Sequence, residues 1–498
     1  MAHACRRLLT TAYHRSCPNY INKCLWPRPL CSASTSVDAT ASKTRETCTS
    51  GQASASTLIS GKDLLVDLRE RGLSVSESNE MQDLFVSGQP ITVYGGFDPT
   101  GDSLHVGHLP LLLSLLRFHE AGHNIIALVG GATAIVGDPS DQVADRSPME
   151  REVIVSNTES LMAWLEQFFE KNRQNQAEMR VVNNLDWYKD MPVLEFFSKY
   201  ASDVRVSTLL GREFVQTRLQ GGGLNMKEFS YQMFQGTDFL QLHKLYGCNL
   251  QIGGSDQWPN ILSGVDIIKK QCSATVHGMT LPLITNANGT KLSKSSGTAP
   301  WLNEEKTTPF QLYQFFVVLE DSVMDQYVNL LSFLPVKEIR RIARENRIDK
   351  TPWVRQTLLG KEMINVVHGE RHYEVALAVT QVLYGRSWTP EIAQTLTEEM
   401  LQVLSTELPF TKLPASSLKD ADIVKLISKL KLLNKSNQKW DSSKVSQIVS
   451  ALRTGVVSCN AQVLTEVSDL HDIDLLCGKY SLFRHGKKCY HLVLWTDE

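Results

Sequence analysis

The first clear hydrophobic pattern of the chain, two apolar runs with helically spaced leucines between them, lies at residues 91–130. The run Ile91–Tyr94 predicts a buried strand that ends at Gly95-Gly96, and Asn124–Gly130 predicts a second strand. Between them, leucines at 111, 112, 115 and 116 recur at helical spacing as far as Gly122, a residue suited to a helix end. A strand, a helix and a strand within about 40 residues form a βαβ unit, which builds a parallel sheet.

This alternation continues to about residue 304, and a helical pattern follows it. Further strands are predicted at Met179–Val182, Asn249–Ile252 and Leu281–Ile284, and further helices at Ser56–Gln82 and Phe229–Tyr246. Later helices are predicted at Pro309–Leu319, Ser322–Phe333, Val336–Asn346 and Pro352–His368, and a hairpin at Tyr480–Trp495. We therefore predict an α/β domain at 56–304, an all-α domain at 305–410 and a small α+β tail at 411–498.

The first residues have a different composition from the rest. Residues 1–37 carry five basic side chains and no Asp or Glu, and residues 32–56 are rich in Ser, Thr and Ala. An Arg-rich, Ser-rich and acid-poor start is typical of a mitochondrial transit peptide. We predict a transit peptide with a disordered linker at 1–50, and hence the mitochondrial matrix as location. A disordered cytosolic tail is the alternative.

Composition excludes several other classes. The net charge of −2 rules out a global polycation, so nucleic-acid contacts would need local patches; the tail at 411–498 holds 13 Lys and Arg against 9 Asp and Glu. No apolar run of about 18 residues predicts a membrane span. The five cysteines beyond residue 50 show no CxxC spacing. We expect them to be free thiols, without disulfides or a metal site.

Two short motifs nearly 190 residues apart carry the candidate chemistry. Pro110 is tolerated only in the first turn of a helix, which should begin near Val106 or Gly107 and place His105 and His108 at its N-terminus. Free N–H groups and the helix dipole favour phosphate there. The second motif, Lys291-Leu-Ser-Lys294-Ser, offers two ammonium groups that would neutralise a pyrophosphate. Alone, each motif could be a solvated histidine pair or a basic surface loop.

Together the motifs resemble the HIGH and KMSKS signatures of class I aminoacyl-tRNA synthetases. The wider stretch Tyr94–His108 is similar to that of bacterial and mitochondrial tyrosyl-tRNA synthetases. Valine at 106 and leucine at 292 are conservative departures from the signatures. The resemblance covers residues 60–370 strongly and the tail weakly. It implies a Rossmann-like catalytic domain, a helical anticodon-binding domain and an S4-like RNA-binding tail.

The resemblance also implies roles for individual residues. Catalytic roles fall to His105, His108, Lys291, Lys294 and Thr100. Tyrosine binding falls to Tyr94, Asp138, Tyr231, Gln235, Asp238 and Gln257, with Tyr94 and Asp238 at the phenol hydroxyl. ATP binding falls to Asp98, Gly254, Asp256, Ile284 and Lys294. Independently, the spacing of Tyr231, Gln235 and Asp238 puts them on one face of a predicted helix; a solvated polar face is the alternative reading of that spacing.

The implied reaction is activation of L-tyrosine by ATP, followed by transfer to mitochondrial tRNA(Tyr). ATP would enter with Mg²⁺ as a substrate complex, without a tightly bound cofactor, and the family implies a homodimer. A tryptophan-specific relative or another HxGH nucleotidyltransferase is the nearest rival among enzymes. An RNA-binding protein built on a synthetase fold, such as a splicing factor, is the rival from another class.

Overall fold

The computed structural model describes a large part of the chain. The described residues are 61–140, 149–292, 299–349, 351–385, 388–419, 422–430, 432, 443–465, 473–486 and 489–497. The predicted transit peptide and Lys294 lie outside them. Two compact units divide the chain: residues 61–308 with 315–367, and residues 309–314 with 368–497. The predicted domain limits at 304 and 410 stay predictions.

A six-stranded sheet forms the centre of the first unit. Its strands are β1 (Ser76–Glu77), β2 (Thr92–Phe97), β3 (Asn124–Val129), β4 (Met179–Asn183), β5 (Cys248–Gly254) and β6 (His277–Leu281). They lie in the order β1-β6-β5-β2-β3-β4, and all pairs except β1 with β6 are parallel. With its connecting helices, this sheet confirms the predicted Rossmann-like fold.

Helices connect the strands of this sheet and extend beyond it. Up to the last strand they are α1 (Gly61–Glu70), α2 (Leu109–Glu120), α3 (Thr133–Val136), α4 (Arg151–Lys171), α5 (Leu185–Tyr188), α6 (Val193–Lys199), α7 (Val206–Leu210), α8 (Glu213–Gln220), α9 (Met226–Phe229), α10 (Tyr231–Tyr246) and α11 (Trp258–Cys272). The helices that follow are α12 (Pro309–Val317), α13 (Asp321–Leu331), α14 (Val336–Asp349) and α15 (Val354–Val367). None of the helices in the described residues is long and apolar enough to span a membrane.

Three predicted boundaries are wrong for identifiable reasons. Within the described residues, the helix predicted at 56–82 ends at Glu70, because Gly72 adopts a positive φ of 74° and turns the chain into β1. The last strand is His277–Leu281 and not Leu281–Ile284, since Pro282 has no N–H to continue the ladder. Strand β2 runs through Gly95-Gly96; a Cβ on Gly95 would lie 2.8 Å from Leu111 Cδ1, so this glycine serves packing against α2.

Helices α10 and α11 approach each other closely on one side of the sheet. A Cβ on Gly236 would lie 2.8 Å from Ile267 Cδ1 and 3.3 Å from the backbone nitrogen of Gly264. A Cβ on Gly264 would lie 2.8 Å from Phe239 Cδ1. These two glycines therefore fix how deeply α10 lies against α11 and how near its polar residues come to the sheet.

The second unit combines helices with a five-stranded sheet. Besides residues 309–314 of α12, its helices are α16 (Glu370–Tyr384), α17 (Pro390–Gln394), α18 (Glu398–Glu407), α19 (Ser416–Lys419), α20 (Ile423–Leu430) and α21 (Ser443–Arg453). Its strands are β7 (Phe410–Pro414), β8 (Val457–Cys459), β9 (Gln462–Val463), β10 (Tyr480–His485) and β11 (Cys489–Thr496), in the order β7-β11-β10-β8-β9. The antiparallel pairing of β10 with β11 confirms the predicted hairpin. Its core includes Phe483, Val493 and Trp495.

Candidate active site

The candidate site lies where the strand order of the first sheet reverses. From β2 the chain passes through α2 to β3 on one side, whereas from β5 it passes through α11 to β6 on the other. Since β2 and β5 are parallel neighbours, their carboxyl ends open side by side into a crevice. Ligands of such sheets bind at this position. The loop Asp98–His108 follows β2, and the 3₁₀ turn Ser255–Gln257 follows β5.

The histidine motif forms a tight turn ahead of α2. Residues Val106–His108 are a 3₁₀ turn, and α2 begins at Leu109 with Pro110 in its first turn, as the sequence indicates. The Gly107 N–H donates to His105 Nδ1 at 3.1 Å, and the His105 N–H donates to His108 Nδ1 at 3.1 Å. Because Nδ1 of His105 accepts a hydrogen bond, its ring proton resides on Nε2, which remains a donor.

The two half-buried histidine rings pack against each other. Their centroids are 4.1 Å apart at an interplanar angle of 48°. Burial, together with a smaller contribution from the Lys291 ammonium, lowers the pKa of His108 to about 4, although the hydrogen bond with the His105 backbone opposes this shift. His108 is therefore neutral at neutral pH and acts as a hydrogen-bond donor or acceptor without a charge.

The described start of the lysine motif and the residues that follow the motif both contact the histidine turn. On the near side, a Cβ on Gly107 would lie 3.0 Å from the Leu292 carbonyl oxygen, so only glycine leaves room for this segment. On the far side, the Val106 N–H donates to Pro300 O at 3.0 Å and the Leu302 N–H to Leu104 O at 2.8 Å. The two motifs, far apart in sequence, thus meet in space.

Lys291 lies near Asp256, and Ile284 contacts the residue that follows Lys291. The Lys291 ammonium is 4.0 Å from Asp256 Oδ2, and the lysine side chain is 44% exposed. The carbonyl oxygen of Ile284 accepts from the Leu292 N–H at 3.1 Å, and the Ile284 side chain is buried. The Lys291 ammonium therefore lies beside Asp256 at the crevice, and the backbone of Ile284 holds the residue that follows it.

A chain of hydrogen bonds connects Asp98 with Asp238 inside the protein. The Tyr231 hydroxyl donates to Asp98 Oδ2 at 2.9 Å, and the Thr133 hydroxyl donates to Asp98 Oδ1 at 2.7 Å. Asn184 Nδ2 donates to Thr133 Oγ1 at 3.0 Å and to Asp238 Oδ2 at 3.0 Å. One connected network therefore joins the two ends of the pocket.

Asn184 and Trp187 present hydrogen-bond donors to the two oxygens of the Asp238 carboxyl. Asn184 Oδ1 accepts from the Ala132 N–H at 2.7 Å, so its amide nitrogen must face Asp238. Trp187 Nε1, which can only donate, lies 2.9 Å from Asp238 Oδ1. Both carboxyl oxygens thus accept hydrogen bonds from donors, and their remaining lone pairs can accept only another donor.

Burial opposes the ionised state of Asp238 that these donors favour. Burial raises the pKa of Asp238 to about 7, although the hydrogen bonds from Asn184 and Trp187 favour the charged form. Burial, followed by the charge of Asp238, also raises the pKa of the Tyr94 hydroxyl well above its usual value. Tyr94 and Asp238 are each 1% exposed. Such perturbed groups at the crevice are typical of a functional site.

Two polar atoms of this pocket have no hydrogen-bond partner among the described residues. They are the Tyr94 hydroxyl and Gln235 Oε1, both fully buried. A buried polar atom without a partner is costly, which favours a bound ligand that supplies one. The burial of Tyr231 and Asp238 also shows that this face of α10 is not the solvated polar face that was the alternative.

A second polar group lies beside β5. Gln257 Nε2 donates to Asp138 Oδ2 at 2.8 Å and to Asp256 Oδ2 at 3.1 Å, and Asn260 Nδ2 donates to Gln257 Oε1 at 3.1 Å. The Ser140 N–H donates to Asp138 Oδ1 at 2.9 Å. This arrangement brings two carboxylates to one amide and concentrates negative charge where a cation would be held.

Glycine and threonine complete the loops around this group. A Cβ on Gly254 would lie 2.4 Å from Asp256 Oδ1, so glycine leaves the Asp256 carboxylate its present position in the turn after β5. Thr100 is exposed in the loop after β2, where its N–H donates to Asp98 O at 2.8 Å. Both positions therefore border the crevice.

The sequence did not identify Thr133, Asn184 and Trp187 as site residues. Asn184 follows β4 directly and Trp187 lies one turn later, so both stand at the carboxyl end of a parallel strand. That position is itself a signal, since functional side chains gather at such ends. The predicted strand at 179–182 therefore marks the position of Asn184, whereas its partners come from distant parts of the chain.

The burial of Asp238 predicts an unusual pH dependence of stability. Its pKa rises from about 3.9 in the unfolded chain to about 7 in the folded protein. The stabilisation from holding this proton is present below pH 4 and is lost as the pH rises through 7. Between pH 4.5 and 7.5, unfolding free energy should therefore fall by about 3 kcal/mol more in the parent than in Asp238→Asn.

Denaturant titrations at a series of pH values measure this difference. The lost hydrogen bonds of Asp238→Asn add an offset that does not depend on pH, so the slope is diagnostic. The exposed Asp190→Asn is the matched control and should follow the parent curve. Parallel curves for the parent and Asp238→Asn would contradict the assignment.

Comparison with known proteins identifies the family. A family model described as tRNA synthetases class I (W and Y) matches residues 87–384. The chain is 36% identical over 457 residues to the mitochondrial tyrosine–tRNA ligase of Rattus norvegicus, covering 88% of this chain and 94% of that protein. It is 35% identical over 445 residues to the tyrosine–tRNA ligase of Laribacter hongkongensis, covering 88% and 100%.

Solved structures agree with the sequence matches. A C-terminally truncated mitochondrial tyrosyl-tRNA synthetase of Aspergillus nidulans superposes with a TM-score of 0.58 at 29% identity, over 64% of this chain and 94% of that one. The corresponding protein of Coccidioides posadasii gives a TM-score of 0.56 at 28% identity, over 63% and 90%. With its matching signatures and parallel sheet, the chain belongs to the class I tRNA synthetases (W and Y).

Proposed function

We propose that this chain is a ligase that activates L-tyrosine with ATP and then transfers tyrosine to mitochondrial tRNA(Tyr). The observation that carries the proposal is the buried pair of Asp238, held as an acceptor, and Tyr94, whose hydroxyl has no partner in the described residues. The relatives named as tyrosine–tRNA ligases support the same substrate.

In this proposal the substrate hydroxyl would lie between these two side chains. A phenol donates its proton to Asp238 and accepts a hydrogen bond from Tyr94. Phenylalanine would leave both groups buried and unpaired, and this cost is already known to be how tyrosine-specific synthetases reject it. An indole N–H can donate to Asp238 but cannot accept from Tyr94, so tryptophan also leaves a buried donor unpaired.

The α-ammonium and carboxylate of tyrosine would extend toward β5. Gln235 Oε1 offers a buried acceptor. The Tyr231 hydroxyl donates a hydrogen bond to Asp98, and Gln257 donates one to the Asp138 carboxylate. Acceptors and a negative charge suit an ammonium group. The substrate carboxylate is then left to face the crevice above β2 and β5.

In the first step, a carboxylate oxygen of tyrosine attacks the α-phosphorus of ATP and the bond to diphosphate breaks. Negative charge grows on the phosphates, so positioned donors lower the barrier. We assign this role to His105, His108, Lys291, Lys294 and Thr100, with Nε2–H of His105 as one donor. Asp98, Gly254, Asp256 and Ile284 would contact the nucleotide, and Mg²⁺ would enter with ATP.

The direct test is tyrosine-dependent exchange of labelled pyrophosphate into ATP. The purified chain should exchange with tyrosine, far less with phenylalanine or tryptophan, and not after chelation of Mg²⁺. Lys291→Ala should reduce kcat by about 10²-fold, because one preorganised charge is lost at the phosphates. The exposed Lys269→Ala on α11 is the matched control. Absence of exchange with tyrosine, or equal exchange with tryptophan, would refute the proposal.

We also propose that two copies of the chain associate. The short helices before α10 expose apolar side chains: Leu194 is 80% exposed, Val193 67%, Met226 61% and Val206 60%. Single exposed apolar residues are ordinary, but a series along consecutive helices favours a surface that another protein covers. The resemblance to a family of homodimers makes a second copy the proposed occupant.

Mass measurement by light scattering tests the association. Leu194→Glu and Met226→Glu, made separately, should each shift the parent dimer toward monomer, because a charge would be buried without a partner. Ile348→Glu on α14, where the parent side chain is 79% exposed, should leave the mass unchanged. A parent that is monomeric at micromolar concentration would contradict the proposal.

The mitochondrial matrix is the proposed location, supported by the acid-free residues 1–37 and by the mitochondrial relatives. The bacterial relatives are equally similar, so the N-terminal segment carries this part of the proposal. In an import assay, the full chain should become protected from protease inside isolated mitochondria and a chain starting at residue 51 should not. Equal import of both chains would contradict it.

A further inference from the structure

A buried ion pair lies directly ahead of the helix that carries the proposed tyrosine pocket. Arg218 Nη2 on α8 lies 2.9 Å from Glu228 Oε2 on α9, and the two side chains are only 3% and 2% exposed. By comparison, the Lys199–Glu195 pair on α6 is about half exposed, at 52% and 51%. The Arg218–Glu228 pair is therefore a feature of the interior.

Arg218 and Glu228 close a loop rich in glycine. Arg218 Nε donates to Gly223 O at 3.0 Å, and the Gly223 N–H donates to Arg218 O at 2.9 Å. The Glu228 N–H donates to Asn225 Oδ1 at 2.9 Å and so caps α9. Because glycines restrict the chain least, these side-chain contacts define the path between α8 and α9.

Two residues of helix α9 attach it to the interior: Glu228, and the partly buried Phe229, which packs against the core that includes Phe239. The helix contains four residues, of which Met226 is 61% exposed and Lys227 is also exposed. A helix of one turn does not persist through its backbone hydrogen bonds alone. Of these two attachments, the carboxylate of Glu228, fixed by Arg218, is the one with a directional geometry.

The position of α9 determines where α10 begins. Only Ser230 separates the two helices, and its hydroxyl donates to Lys227 O at 2.8 Å. Tyr231 is the first residue of α10, and its hydroxyl reaches Asp98 at 2.9 Å. A displacement of α9 would therefore pass through a single residue to Tyr231.

Stability alone does not account for a buried ion pair. Replacing such a pair by apolar residues is often neutral or stabilising, whereas removing one partner costs about 3–5 kcal/mol. What the pair supplies is a single arrangement, because a guanidinium and a carboxylate accept few geometries when buried. That property matters where a helix must start at a fixed point.

We propose that Arg218 and Glu228 are positioning residues for tyrosine binding, acting through Tyr231. The pair fixes the start of α10 and so places the Tyr231 hydroxyl, and with it the face that includes Gln235, against the substrate. This inference rests on the proposed function. It assigns no contact with substrate to either residue.

Steady-state exchange kinetics of the full chain test the inference. Glu228→Gln and Arg218→Lys should each raise KM for tyrosine about tenfold, since small misplacements at a binding site are costly. KM for ATP and kcat should stay within about twofold, because Asp98 keeps its hydrogen bond from Thr133. Glu195→Gln, which removes the half-exposed pair on α6, is the matched control and should keep all parental constants.

Thermal unfolding of the same variants separates positioning from stability. A lower Tm with a parental KM for tyrosine would show a merely structural pair and overturn the inference. If neither variant folds, the double variant Arg218→Met with Glu228→Leu restores an apolar interior; it should fold with a raised KM for tyrosine, and a parental KM would overturn the inference. A parent without tyrosine-dependent exchange would instead refute the proposed function.

Discussion

The candidate pocket depends on a carboxylate that the protein buries and then surrounds with donors. Asp238 is 1% exposed, and burial alone drives it toward the protonated form. Asn184 and Trp187 oppose this by presenting only N–H groups to its two oxygens. The orientation of Asn184 is in turn fixed by the Ala132 backbone. Main-chain geometry therefore orients one of the two donors that favour the charged form of Asp238.

The sheet explains why residues so distant in sequence belong to this pocket. Asp98 follows β2, Asn184 follows β4 and Gln257 follows β5, so each stands at a carboxyl end of the same parallel sheet. The close approach of α10 to α11 through Gly236 then brings Asp238 to that edge. Because the strands are parallel, the polar groups that follow them lie at one edge of the sheet, and the packing of α10 against α11 determines how close Asp238 lies to that edge.

Much of this architecture could be predicted from the hydrophobic pattern and the motifs of the sequence. The βαβ unit, Pro110 in the first turn of α2 and the final hairpin depend on local rules of periodicity and turn chemistry, and they could be read directly. Strand ends were less accessible, since Pro282 and the glycine pair at 95 and 96 act through pairing and packing with distant residues. Asn184 was missed for the same reason, because its significance lies in three partners that only the fold brings near it.

The hydrogen bonds between Asp98 and Asp238 also suggest how the binding of tyrosine and the binding of ATP could affect each other. Asp98 accepts from Tyr231 on the side proposed for the amino acid and from Thr133 on the side that leads to Asn184. If Asp98 also contacts ATP, as proposed, one carboxylate touches the nucleotide and orders the residues that hold tyrosine. A charge shared in this way is sensitive to occupancy of either substrate, because each bond to it polarises the next. The coupling would then lie in the hydrogen bonds between Asp98 and Asp238, which need no movement of the backbone.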